Sequence, residues 1–132
     1  MTTRTWPDAS GTGNTATLSG TGFTTVREGG HGATAPVTAV VGTTESMILF
    51  GNIIQPQFTI CSATRYAGAS RGRILDGGSR NFLHGHDEGC AGVAYYGNAF
   101  YSSAQGARGH VALAPDDWVI MCGTNSGSQL KL

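Results

Sequence analysis

Short apolar runs broken by turn residues recur about every ten residues along this chain, the spacing of antiparallel sandwiches and barrels. Thr15, Thr17 and Ser19 alternate with Ala16, Leu18 and Gly20, which predicts a weak edge strand that residues Phe23 to Val26 could extend. Gly29 to Pro36 reads as a loop, with room for one short helical turn in residues 23–35. Pro36 to Val41 and Met47 to Phe50 are apolar around a Gly42-Thr43-Thr44-Glu45 turn. Phe58 to Tyr66, Arg73 to Leu75, Asn81 to His86, Cys90 to Tyr96, Ala99 to Ser102, Val111 to Leu113 and Asp117 to Thr124 follow as strands. The turns between them include Asp76-Gly77-Gly78-Ser79, Asp87-Glu88-Gly89 and Gly97-Asn98, and Asn125-Ser126-Gly127 leads into Ser128 to Leu132. No helical stripe survives an 11-residue window. The expected fold is all-β, two antiparallel sheets face to face, with Phe58, Ile60, Leu75, Leu83, Val93, Val119 and Met121 in the core.

Two of these runs, Phe58 to Ala63 and Asp117 to Gly123, are apolar on both faces, as a strand inside a packed sheet is. Each carries one cysteine at the same depth, Cys61 and Cys122, which points to neighbouring strands joined by a disulfide. Cys90 follows a hairpin turn at a sheet end and is the odd thiol; its pairing with either cysteine is the alternative. A bridge implies an oxidising compartment, extracellular or at the cell surface, although no leader is visible after Met1.

Composition narrows the partners. Eight basic and eight acidic residues cancel, so no electrostatic footprint for nucleic acid or an anionic membrane exists. Arg65, Arg71, Arg73 and Arg80 cluster, but Asp76, Asp87 and Glu88 lie close by, and a solvated loop is the better reading than an anion site. No run reaches the roughly 20 apolar residues of a spanning helix, so no membrane insertion is expected. At 132 residues one domain, 1–132, is expected.

The opening Trp6-Pro7-Asp8-Ala9-Ser10-Gly11-Thr12-Gly13-Asn14-Thr15-Ala16 resembles the start of laminin-G-like domains of the concanavalin A-like lectin/glucanase superfamily. Phe58-Thr59-Ile60-Cys61 and Trp118-Val119-Ile120-Met121-Cys122 resemble the strands that hold the paired cysteines of its pentraxin branch. The resemblance implies a concanavalin A-like jelly roll that lacks its last strands after Leu132. An unpaired sheet edge would follow, and with it self-association. The pentraxin calcium ligands fall in the missing part, so neither metal nor cofactor is carried over.

Glucanases of that superfamily align acids along one strand, whereas Asp87-Glu88 and Asp116-Asp117 are adjacent pairs whose side chains diverge. No nucleophile elbow is present, and Cys90 beside His84 or His86 reads as a partly buried spectator or an intermolecular bridge rather than a nucleophile. His84 and His86 share a strand face with Asp87 near, the beginning of a zinc or copper set that lacks an identifiable third ligand. With Tyr95, Tyr96 and Tyr101 they form instead a candidate sugar-contacting group of planar and aromatic side chains. The expected function is a non-catalytic recognition or adhesion module for a glycan or an extracellular protein. The alternative is a structural module of a larger extracellular assembly.

Overall fold

The computed structural model describes residues 4–78, 81–97 and 116–125, and the backbone of 100–102. Every regular element there is a strand: β1 (Arg4–Trp6), β2 (Ala16–Gly20), β3 (Thr24–Gly30), β4 (Ala33–Val41), β5 (Ser46–Leu49) and β6 (Thr59–Thr64), then β7 (Leu75–Asp76), β8 (Phe82–Asp87), β9 (Cys90–Tyr96), β10 (Phe100–Ser102) and β11 (Val119–Thr124). The strands form four separate sheets rather than two. The fold is therefore all-β and multi-sheeted. Val111 to Leu113, Arg80, and the turn and strand after Asn125 lie outside the described residues. The chain divides into two compact units, Met1–Glu28 with Pro36–Pro56, and Gly29–Ala35 with Gln57–Leu132.

In the first unit β2 pairs antiparallel with β1 on one side and β5 on the other. The loop between β1 and β2 closes on Asp8, whose carboxylate accepts bonds from the Ser10 hydroxyl (2.6 Å), the Thr12 hydroxyl (2.9 Å) and the Ser10 and Asn14 amides. These donors, the Ser10 hydroxyl first, hold the Asp8 carboxyl well below the usual carboxylate range. Ala16 is the one fully buried apolar side chain among the described residues of this unit.

β3 and β4 form a hairpin where a loop was expected at 29–36. The turn is His31-Gly32, with φ of 54° and 78°, the paired positive values of a two-residue hairpin loop. Histidine tolerates the left-handed region better than most residues, so this turn carries no Asn-Gly or Asp-Gly signature. The Trp118 amide donates to the His31 carbonyl at 2.9 Å.

The second unit has two layers. One is the four-stranded sheet β10-β9-β8-β7. The other is a two-stranded ribbon of β6 and β11, in which Cys61 faces Cys122 directly across the ladder. The two cysteines are bridged, with Cα atoms 4.1 Å apart. Neither ribbon strand is buried on both faces, contrary to the reading of their apolar runs: β11 alternates strictly, and Ile120 is 82% exposed between buried Val119 and Met121. Val119 and Met121 pack on Ala91 and Ala94 of β9, with Tyr96 alongside. On the other side of the β8–β9 hairpin Leu83, Cys90 and Val93 form a second cluster with Tyr95. Of the expected core, Leu83, Val93, Val119 and Met121 are buried, whereas Phe58, Ile60 and Leu75 are only partly covered.

Candidate functional site

The β8–β9 hairpin carries most of the expected site, and a bulge decides where its side chains go. His84 pairs with Ala94 and Gly85 with Val93, but His86 pairs with Ala91, so Gly92 has no partner. Gly92 has a φ of 74°, open to glycine at little steric cost. The extra residue puts Ala94 and Ala91 on the ribbon side and Val93 and Cys90 on the other. His84 and His86 lie between the sheet and the ribbon, and both are completely buried.

The bonds fix the protonation of His84. Its Nε2 lies 3.2 Å from the Met121 carbonyl, which only accepts, so Nε2 carries the hydrogen. Its Nδ1, at 2.6 Å from the Tyr96 hydroxyl, then accepts from that hydroxyl. The Tyr96 hydroxyl reaches this position because residue 123 is glycine: a Cβ there would sit 2.1 Å from the hydroxyl oxygen. Phe82 stacks on the Tyr96 ring and Phe58 meets it edge-on, both with centroids 5.2 Å away.

His86 contacts Thr64 Oγ1 through Nδ1 at 3.2 Å and Tyr66 edge to face at 4.8 Å. Its Nε2 has no partner, and neither does the buried Ser62 hydroxyl. Burial lowers the pKa of both imidazoles, that of His86 to about 4 with a smaller push from His84. Burial pushes Tyr96 up to about 12. The interlayer therefore holds two neutral imidazoles, one with both ring nitrogens bonded and one with a single partner.

Of the sugar-contacting group expected from the sequence, His84, His86, Tyr95 and Tyr96 do not come together on one exposed face. His84 and His86 are sealed between layers because they occupy the ribbon-facing positions of β8. Tyr96 points into that layer and Tyr95 to the opposite cluster, as successive residues of a strand must. Tyr101 pairs with Ala94 in β10, and its side chain lies outside the described residues. Cys90 and the two histidines point to opposite sides of the hairpin, which removes the thiol–imidazole pairing. Among the described residues no group of three or more His, Cys, Asp or Glu side chains gathers as a metal set. Of the clustered arginines, Arg71 pairs with Asp116 at 2.6 Å, and Arg73 with Asp76 at 3.1 Å and Asp87 at 3.5 Å.

A concavity of about 520 Å³ in the first unit was not singled out in the sequence; its lining includes Arg4, Trp6, Leu18, Phe23, Thr24 and Thr25. Arg4 faces Leu18 and Trp6 faces Ala16 across the β1–β2 ladder, so all four share one side of the sheet. Trp6 is 43% exposed. Among Arg4, Trp6, Leu18, Phe23, Thr24 and Thr25 only Trp6 stands in the opening motif, and a three-residue strand gives no periodicity to show which way Arg4 and Trp6 face. Compared with known proteins, the chain matches no family model, no curated sequence and no solved structure.

Proposed function

We propose that this chain is a non-catalytic recognition module that binds a glycan at the Trp6 concavity. The observation that carries the reading is the combination of lining groups there: the aromatic side chains of Trp6 and Phe23, the hydroxyls of Thr24 and Thr25, and the guanidinium of Arg4. Sugars are held by apolar ring faces together with a few polar groups that fix orientation. The scaffold we infer is the laminin-G-like jelly roll. Its support is the order of the three motif stretches and the Cys61–Cys122 bridge, which also favours an extracellular or cell-surface setting.

The test is a saccharide panel read by tryptophan fluorescence. The chain has two tryptophans. A Trp118→Phe variant leaves Trp6 as the reporter, and a Trp6→Ala variant serves as the loss-of-site control. At least one saccharide class should shift the Trp6 emission saturably, and Trp6→Ala should weaken binding about tenfold or more, a loss of about 1.4 kcal/mol. A panel without any saturable response rejects the reading.

A structural module within a larger assembly is the second reading. It is favoured by the apolar surface of Met47, Leu49, Phe50, Ile53 and Ile54, each between 39% and 54% exposed.

A further inference from the structure

We propose that the Cys61–Cys122 bridge is a redox latch on the β6–β11 ribbon, opened and closed in the folded protein by dithiol exchange. Three observations carry this. Both cysteines are exposed, on the outer face of the ribbon, although disulfide sulfurs in small domains commonly sit in the core. Their ladder neighbours on that face, among the described residues, are Thr59, Ala63, Ile120 and Thr124, none of which carries a charge to repel an incoming thiolate. The bridge also joins segments 61 residues apart in the chain, so it is the covalent tie between two strands that are otherwise held by their ladder and the packing of their inner face.

The exchange balances without any group from the protein other than the two sulfurs. A dithiol reductant attacks one sulfur as its thiolate, the Cys61–Cys122 S–S bond breaks, and the departing sulfur is released as a thiolate that takes a proton from solvent. The second thiolate of the reductant then attacks the mixed disulfide and frees the other cysteine. Two electrons and two protons reach Cys61 and Cys122, and the dithiol leaves as its own disulfide. Both cysteine thiols finish on a face already in contact with water, so release buries no new charge.

Opening matters because of what the ribbon covers. Its inner face supplies the Met121 carbonyl to His84, the Thr64 hydroxyl to His86, and the Val119 and Met121 side chains to the interlayer cluster. With the latch closed, β6 and β11 separate only against a covalent restraint. With it open, the ribbon can part locally and admit water to the imidazoles while the β8–β9 hairpin stays formed.

The experiment treats the folded full-length chain at pH 7 with dithiothreitol and no denaturant. Alkylation, peptide mapping and amide hydrogen exchange then follow. The expected result is alkylation at Cys61 and Cys122 with buried Cys90 unlabelled, an unchanged far-ultraviolet spectrum, and exchange at 59–64 and 119–124 faster by about tenfold or more. Reoxidation should restore slow exchange, and the Cys61→Ser/Cys122→Ser variant should match the reduced protein. A bridge that resists reduction until the chain is unfolded overturns the proposal. So does labelling of Cys90 together with the other two, which makes the bridge a staple of the whole unit. Reduction that leaves ribbon exchange unchanged overturns it as well.

Discussion

Gly123→Ala is the sharpest probe of how the two layers of the second unit fit. The added methyl carbon would stand 2.1 Å from the Tyr96 hydroxyl oxygen, 3.1 Å from Cζ and 3.3 Å from the next ring carbon. The phenol cannot swing aside freely, because Phe82 stacks on its ring and Phe58 closes its edge. Overpacking of this kind costs about 1–3 kcal/mol. Displacing the hydroxyl also breaks the 2.6 Å bond to His84 and leaves Nδ1 buried without a donor, another ~1–3 kcal/mol. Replacing a strand glycine returns about 0.5–1 kcal/mol of backbone entropy. The net expectation is a loss of about 1–5 kcal/mol, centred near 3, read as a lower urea midpoint at constant m-value. Tyr96→Phe removes the hydroxyl that collides and, by leaving His84 Nδ1 without its donor, should cost about 1–3 kcal/mol alone. In the double variant the clash with oxygen is gone, so the combined loss should fall short of the sum by about 1 kcal/mol or more. If Gly123→Ala is neutral, or if the two losses simply add, the packing of Tyr96 over residue 123 is wrong.

The remaining predictions concern acid and the two faces of the ribbon. His86 titrates near 4 in the folded chain against 6.5 for an ordinary imidazole, and His84 is lowered too, so between about pH 6.5 and 4 the unfolded state binds more protons and stability falls as pH falls. At pH 4.5 the protein should be less stable than at pH 7.5 by about 2 kcal/mol from His86 alone; equal urea midpoints at the two pH values refute burial of the neutral rings. Ile120→Thr, on the exposed face of β11, should change stability by less than about 0.5 kcal/mol. Met121→Ala, one residue along on the inner face, should cost about 2–4 kcal/mol. Equal effects would mean that the strand does not alternate as described.

What the sequence revealed and what it concealed follow from local signal strength. Cys90 to Tyr96 was legible to the residue, because Asp87-Glu88-Gly89 marks the turn and Gly97 the far end. Phe58 to Tyr66 and Asp117 to Thr124 were legible as strands and as partners, but not in their exposure. Val119-Ile120-Met121-Cys122 is apolar at every position, so it carries no period to show that the Ile120 face is the wet one. The His31-Gly32 turn was missed because its chemistry is weak, and β1 because three residues show no pattern. The fate of His84 and His86 depended on a ribbon supplied by β6 and β11, distant in sequence on either side, and no local motif records that.

The unpaired Gly92 has one more consequence, for the traffic of sulfur atoms. Strict alternation back from Tyr96 would place Cys90 on the ribbon side of the hairpin, with the ribbon alone between its thiol and the bridge. The bulge turns it to the opposite side, beside Leu83 and Val93. The sheet and the ribbon then both stand between that thiol and a bridge on the ribbon's outer surface. Thiol–disulfide exchange needs an in-line approach of sulfur to sulfur, so scrambling into a bridge containing Cys90 is blocked in the native state. A chain with three cysteines can form three single-bridge isomers. The ribbon is one barrier to the other two, and the inserted glycine adds the hairpin as a second for as long as it stays folded.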